Sequence, residues 1–271
     1  MPQITGKTRM LAILADPIHH VKTPQRINAL FEDAGIDAVM VPLHVPADGL
    51  AATLAGLRRV ASFDGCVVTV PHKQAAVPLC DELSDAARQV GAVNVIRRLA
   101  DGRLRGDILD GTGFVAGLRS AGIEPAGRSV YLAGAGGAAN AIAFALAAAG
   151  VARLTLHNRT RDKAQALADG LRLAFPALPV QVGSTDPSGH DMVVNATSLG
   201  LRPGDALPLD AGLLHPSQTV AEIIMEPAET ALLQAAGARG CRVHPGLPML
   251  VEQVRWMAAF LLDRPVGDIA A

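Results

Sequence analysis

Residues 64–73 read DGCVVTVPHK. The apolar, β-branched run Cys66, Val67, Val68, Thr69 and Val70 predicts a buried strand that Pro71 stops. Lys73 then stands just past the carboxyl end of that strand, where open α/β sheets place their ligands. A lysine there can hold, donate or take up a proton on a bound oxygen; a solvated surface lysine is the plainer alternative. A second chemical signature lies further on. A short strand, Val130–Leu132, runs into Gly134, Ala135, Gly136, Gly137, Ala138 and Ala139 and then into a long Ala-rich helix. Gly134, Gly136 and Ala139 match G-x-G-x-x-A. The first glycine permits a tight turn, the second lets backbone approach a pyrophosphate, and the third small residue lets helix and strand pack closely. The helix N-terminus faces the anion. Such turns also serve plain packing, but here strand, loop and helix follow in the order dinucleotide binding needs.

The next strand, ARLTLH, selects the dinucleotide. NAD sites usually carry Asp or Glu about 20 residues past the glycines, to accept from the ribose 2′-hydroxyl. This chain has Asn158, Arg159, Thr160 and Arg161 instead. A carboxylate would repel a 2′-phosphate, whereas a guanidinium and a hydroxyl bind one. NADP is the expected cofactor; NAD is the alternative, because Asp162 is close enough in sequence to compete.

These groups need a frame. MLAILA reads as a strand, Thr23-Pro24 as the N-cap and first residue of a helix through QRINALFEDAG, AVMVPLHV as a strand, and ADGLAATLAGLRRV as an amphipathic helix. Strands alternating with helices of this length imply a mostly parallel sheet. A second α/β rhythm begins near residue 128, with DMVVNATSLG and TVAEIIM as further strands. The expected division is a substrate-binding domain over 1–109, completed by a C-terminal helix over 246–271, and a Rossmann-type NADP-binding domain over 110–245.

Composition supports this frame. The 271 residues are 50 % hydrophobic and 18 % charged, enough apolar material for real cores and too little charge for disorder. Net charge is −1 with no basic stripe, so nucleic acid is not an expected partner. The apolar stretch AANAIAFALAAAGVA is too short and too rich in small residues for a membrane span. The start of the chain lacks a signal-peptide pattern. Cys66, Cys80 and Cys241 show no C-x-x-C spacing, so neither a disulfide framework nor a metal site is expected. A cytoplasmic protein, monomer or homodimer, is the expectation.

Taken in order, ADPIHHVKTP, VVTVPHK, GAVN, GDILDGTGF, GAGGAA, NRT, NATSLG, EPAET and GLPMLVEQ resemble the motifs of the shikimate dehydrogenase family across nearly the whole chain. The resemblance implies two α/β domains with a cleft between them, and reversible hydride transfer between a nicotinamide and a ring alcohol or ketone such as shikimate and 3-dehydroshikimate. It implies that Lys73 and Asp110 form the catalytic pair, although Asp110 alone also reads as a turn or N-cap before Gly111. Chemically, alcohol oxidation needs a proton taken from oxygen as hydride leaves carbon; a lysine can shuttle that proton while an aspartate orients the ammonium. Thr69, Asn94 and Gln253 match positions that hydrogen-bond substrate hydroxyls, although each also suits an ordinary strand, turn or helix surface. His20 matches a family histidine. Asn195, Thr197 and Ser198 would shape the wall near the nicotinamide, with Ile223 and Gly246 completing the cofactor set.

The chain also departs from the family pattern. In the family pattern two serine-type hydroxyls usually hold the substrate carboxylate in the early loop; here the first position is Val21, and only Thr23 keeps a hydroxyl. Val67 replaces an asparagine, Ile108 and Leu109 replace Asn-Thr, Met225 replaces a tyrosine, and Glu222 an aspartate. Substrate recognition is therefore expected to be altered while the cofactor and proton chemistry are intact. Quinate, aminoshikimate or another cyclitol, with NAD, is the alternative, as is a nucleotide-binding module without turnover. Retention of both Lys73 and Asp110 argues against the module, which has no need of a proton-transfer pair.

Overall fold

The computed structural model describes residues 4–19 and 21–269. The chain divides into two compact units, Met1–Leu109 with Gln253–Ala271, and Asp110–Glu252.

The first unit contains β1 (Arg9–Ala15), α1 (Thr23–Asp33), β2 (Ala38–His44), α2 (Leu50–Leu57), β3 (Phe63–Val68), β4 (Glu82–Leu83), α3 (Asp85–Val90), β5 (Val95–Arg98) and β6 (Leu104–Asp107). Its sheet has the order β2-β1-β3-β5-β6-β4. Three pairings are parallel (β1–β2, β1–β3, β4–β6) and two antiparallel (β3–β5, β5–β6). β1 is buried from Leu11 to Ala15 without alternation, as a strand covered on both faces must be. The β5–β6 hairpin turns at Asp101-Gly102, a dipeptide that favours tight turns. Two local expectations change. β3 stops at Val68 rather than Val70, because its partner β5 starts at Val95 and offers no ladder beyond; Val70 is 60 % exposed. α1 starts one residue early, so Lys22 is the N-cap and Thr23 lies inside the helix.

The second unit contains α4 (Asp110–Ser120), β7 (Ser129–Ala133), α5 (Gly137–Ala148), β8 (Arg153–His157), α6 (Arg161–Ala174), β9 (Val180–Val182), β10 (Met192–Asn195), β11 (Thr219–Glu222), α7 (Ala231–Ala238) and β12 (Arg242–His244). Its sheet is parallel throughout, in the order β12-β11-β10-β7-β8-β9. The order reverses at β7, which lies between β8 and β10. In open α/β sheets this switch point is where a ligand binds. Tyr131, fully buried on β7, satisfies its hydroxyl by donating to the Ser184 carbonyl at 2.8 Å.

The last helix, α8 (Leu247–Leu262), passes from the second unit into the first between Glu252 and Gln253. It ends at Leu262, short of the expected 271. Asp263 adopts a positive φ of 54°, which ends the helix, and a short 3₁₀ turn follows at Val266–Asp268. Within the first unit, the Arg97 guanidinium lies 5.4 Å from the Phe260 ring and pairs with Asp263, which ties the helix end to β5.

Candidate active site

Lys73 lies in a run of turns from Val70 to Ala76, just past the carboxyl end of β3. Backbone and imidazole bonds hold that run. His72 N–H donates to the Thr69 carbonyl at 2.8 Å, and the buried His72 ring donates through Nε2 to the Val45 carbonyl at 2.8 Å. The Lys73 carbonyl accepts from Val93 N–H at 2.8 Å. His72 therefore fixes the turn that carries Lys73, a role that nothing in the motif spelled out.

Asn94 stands beside this turn. Its carbonyl accepts from Val68 N–H at 2.8 Å, and its own N–H donates to the Asp107 carbonyl at 2.9 Å. Its side-chain Oδ1 accepts from Leu109 N–H at 2.9 Å, so the residue before Asp110 is held in place. Asn94 is only 1 % exposed, yet its Nδ2 has no hydrogen-bond partner. A buried amide donor left unpaired costs roughly 1–3 kcal/mol, a cost that a bound ligand oxygen would remove. Thr69 is half-buried, and its N–H donates to the Leu14 carbonyl at 3.1 Å. The first unit thus gathers Thr69, Lys73 and Asn94 at one end of its sheet. Val21 and Thr23 lie at the start of α1, and Val21 N–H donates to the Ile18 carbonyl at 3.2 Å. His20 lies outside the described residues. Gln253 is buried on α8, and Asp110 is the buried first residue of α4. The departures Val67, Ile108 and Leu109 are all buried apolar residues that pack the core.

In the second unit β7 delivers the glycine loop. Gly134 has φ +120°, and a Cβ there would lie 2.8 Å from the Ala196 carbonyl oxygen, so only glycine fits. Gly136 caps α5 in an extended conformation, and a Cβ on it or on Gly137 would meet nothing within 4 Å. Ala139 is fully buried against the sheet. Together these give a tight turn open only to glycine, an open backbone cradle at a helix N-terminus and a close packing contact, as a dinucleotide pyrophosphate requires. Ala135 and Ala138 complete the loop. Gly134 N–H donates to the His157 carbonyl at 2.7 Å, which sets the following loop, Asn158–Arg161, beside the cradle. Asn158 Nδ2 donates to the Thr160 carbonyl at 2.9 Å, Thr160 is the N-cap of α6, and Arg159 is exposed. A cationic, hydroxyl-bearing helix start of this kind fits a 2′-phosphate.

On the other side of the cradle, Asn195 ends β10 opposite Ala133. Its Oδ1 accepts from Thr197 N–H at 3.0 Å and Thr197 Oγ1 at 2.7 Å. Gly246 N–H donates to the Ile224 carbonyl at 3.1 Å, and a Cβ on Gly246 would lie 2.4 Å from that oxygen and 2.5 Å from the Ile223 carbonyl carbon. The glycine is thus demanded first by the backbone of Ile223 and Ile224. Among the described residues no group of three or more His, Cys, Asp or Glu could hold a metal ion, and no helix is long and apolar enough to cross a membrane. Burial pushes the Cys80 thiol up to about 11 and the Cys66 thiol higher still, so neither is a thiolate nucleophile at neutral pH.

Residues 13–96 match the shikimate dehydrogenase substrate binding domain, and residues 119–199 match the shikimate / quinate 5-dehydrogenase family. The chain is 42 % identical over 257 residues to the shikimate dehydrogenase (NADP(+)) of Rubrobacter xylanophilus, covering 93 % of this chain and 90 % of the relative. Its fold superposes with a TM-score of 0.91 and 30 % identity on shikimate 5-dehydrogenase from Listeria monocytogenes, solved with shikimate and NAD, over 99 % of this chain and 97 % of that one. It superposes with a TM-score of 0.90 and 33 % identity on ligand-free 5-ketofructose reductase of Gluconobacter, over 98 % and 97 % of the two chains.

Proposed function

The chain belongs to the shikimate and quinate dehydrogenase family, and from that premise we propose how its residues divide the work of an NADP-dependent oxidoreductase acting on shikimate or a related ring hydroxy acid. The nicotinamide, when bound, accepts or supplies the hydride. Gly134 to Ala139 hold the pyrophosphate at the N-terminus of α5, and Asn158, Arg159 and Thr160 hold the 2′-phosphate. Thr197, Ile223 and Gly246 line the nicotinamide end. Lys73 hydrogen-bonds the reacting substrate oxygen, takes its proton during oxidation and returns it during reduction. Asp110 orients the Lys73 ammonium. Thr69, Asn94 and Gln253 hold the remaining ring hydroxyls, and Thr23 with Val21 meets the carboxylate.

The observation that supports this reading most is the unpartnered Nδ2 of Asn94, a buried donor fixed beside the turn that carries Lys73. Its test is steady-state turnover of shikimate, quinate and related ring acids with NADP and NAD, by wild type and Lys73→Ala. Lys73→Ala should lower kcat by about 10²–10⁴-fold with cofactor affinity nearly unchanged. Full turnover in the variant would remove Lys73 from the mechanism.

Two observations favour a second reading. Val21 stands where the family pattern has a carboxylate-holding hydroxyl, and the chain shares 33 % identity with 5-ketofructose reductase. A polyhydroxylated ketone without a carboxylate would need no such grip. Turnover of neutral ketoses in the same panel, with no turnover of ring acids, would select it.

A further inference from the structure

Glu222 is a fully buried acid in the second unit, at the carboxyl end of β11 and in register with Asn195 on β10. Its Oε2 accepts from Thr230 Oγ1 at 2.9 Å and from Asn195 Nδ2 at 3.4 Å, whereas Oε1 is buried without a partner. Burying an acid costs stability where its oxygens lack partners, so a half-partnered acid at this position points to a requirement.

The requirement lies in the neighbours. Asn195 is fully buried too, and its amide works in both directions. Nδ2 donates to Glu222 and to the Leu199 carbonyl at 3.1 Å, while Oδ1 accepts both Thr197 bonds. Thr197 Oγ1 in turn accepts from Leu199 N–H at 3.0 Å, so residues 195–199 close into one bonded loop. If the amide flipped, Nδ2 would face the Thr197 N–H, donor against donor, and its oxygen would face the Glu222 carboxyl. This loop borders the glycine cradle: Ala196 N–H donates to the Ala133 carbonyl at 2.8 Å, and the Ala196 carbonyl is the atom that forbids a side chain at Gly134. Thr230 is the N-cap of α7, receiving Leu233 N–H on the same hydroxyl that donates to Glu222.

We propose that Glu222 is a positioning residue for dinucleotide binding: its Oε2 fixes the Asn195 amide, which holds Thr197 and the 195–199 loop against the glycine cradle. The proposal rests on the reading of this cradle as the cofactor site. The sequence shows Glu222 only as one acid in place of another and Thr230 only as the end of EPAET; the contacts that join them to the cradle link residues 8 and 27 apart.

The test is NADPH binding, followed by the nucleotide's own fluorescence, together with thermal melting, in wild type, Glu222→Gln, Glu222→Leu and Thr197→Val. Glutamine keeps one acceptor oxygen and lets its amide occupy the unpartnered Oε1 position. It should stay within about three-fold of wild-type Kd, while leucine weakens NADPH by about ten-fold, the loss expected for one or two broken buried bonds. The KM for the ring acid at saturating NADPH should change by less than about three-fold in Glu222→Gln and Glu222→Leu. Thr197→Val removes a hydroxyl from a half-buried position and keeps the test valid should Glu222→Leu not fold. It too should weaken NADPH. Wild-type affinity in a folded Glu222→Leu or in Thr197→Val, or equal weakening by glutamine and leucine, overturns the proposal. No NADPH binding by wild type would instead remove the cofactor-site reading, and this inference with it.

Discussion

Two glycines of the cofactor loop should respond to alanine in opposite ways. At Gly134 the backbone has φ +120°, and a Cβ would press on the Ala196 carbonyl oxygen at 2.8 Å. Holding an L-residue in such a region costs about 1–3 kcal/mol. Displacing a packed carbonyl costs about as much again. Against a domain stability of about 5–15 kcal/mol this is a large share, and Gly134→Ala should melt lower by roughly 5–20 °C. At Gly136, φ is −86° and ψ −177°, which any residue adopts, and an added Cβ meets nothing within 4 Å. Gly136→Ala should therefore melt within about 2 °C of wild type. If pyrophosphate approaches this backbone, however, the methyl holds it off. Losing a charge-assisted bond of about 1.5–3 kcal/mol weakens NADPH by roughly ten- to a hundred-fold. Thermal melts and NADPH titrations on both variants measure the two effects separately. Wild-type NADPH affinity in Gly136→Ala would refute the cradle, and a wild-type melt for Gly134→Ala would refute the steric argument.

Other sites give simpler tests. Wild type should bind NADP more tightly than NAD, and Arg159→Ala should erase most of that preference, as read by titration with both dinucleotides. Equal wild-type affinity for the two would count against the 158–161 loop as a phosphate site. Shikimate should show a high KM, and Val21→Ser should lower it about ten-fold, equivalent to about 1.4 kcal/mol, with kcat affected less. An unchanged KM would mean that this loop does not hold a carboxylate. For Glu222, burial raises the carboxyl pKa above its ordinary 4.5, against the lowering effect of bonds from Thr230 and Asn195. Below pH 4.5 the acid is protonated in both folded and unfolded chains. As pH rises from there, only the unfolded chain releases its proton, so wild type should lose about 1.4 kcal/mol per pH unit relative to Glu222→Gln until the folded pKa is passed. Urea melts of both proteins from pH 4 to 8 would reveal this divergence, and a constant difference would exclude it.

The sequence made some parts of this molecule plain because their chemistry is local. The turn at Gly134, the cap at Gly136 and the buried Ala139 are spelled out within six residues of sequence, although the carbonyl that crowds Gly134 comes from distant Ala196. Other parts depend on partners far along the chain. The run from Cys66 to Val70 has uniform strand propensity, yet the strand ends at Val68 because its partner β5 begins only at Val95, with Asn94 the last residue to accept from it. Asn94 reads as a turn former, but it is a buried bracket for Leu109 with an amide to spare. His72 looks like a loop residue until the Val45 carbonyl is found against its ring. Glu222 shows in the sequence only as one acid replacing another, and its weight comes from Asn195 and Thr230.

The central claim is hydride transfer between a nicotinamide and a ring carbinol carbon, and isotope transfer tests it most directly. Wild type would be incubated with 3-dehydroshikimate and NADPH carrying deuterium at C4, one face at a time, and the product analysed by mass spectrometry and proton NMR. One of the two labelled cofactors should deliver a single deuterium to the carbinol carbon of shikimate, and the other none. Product without deuterium from either face, or NADPH that remains unoxidised at high enzyme concentration, would contradict the account.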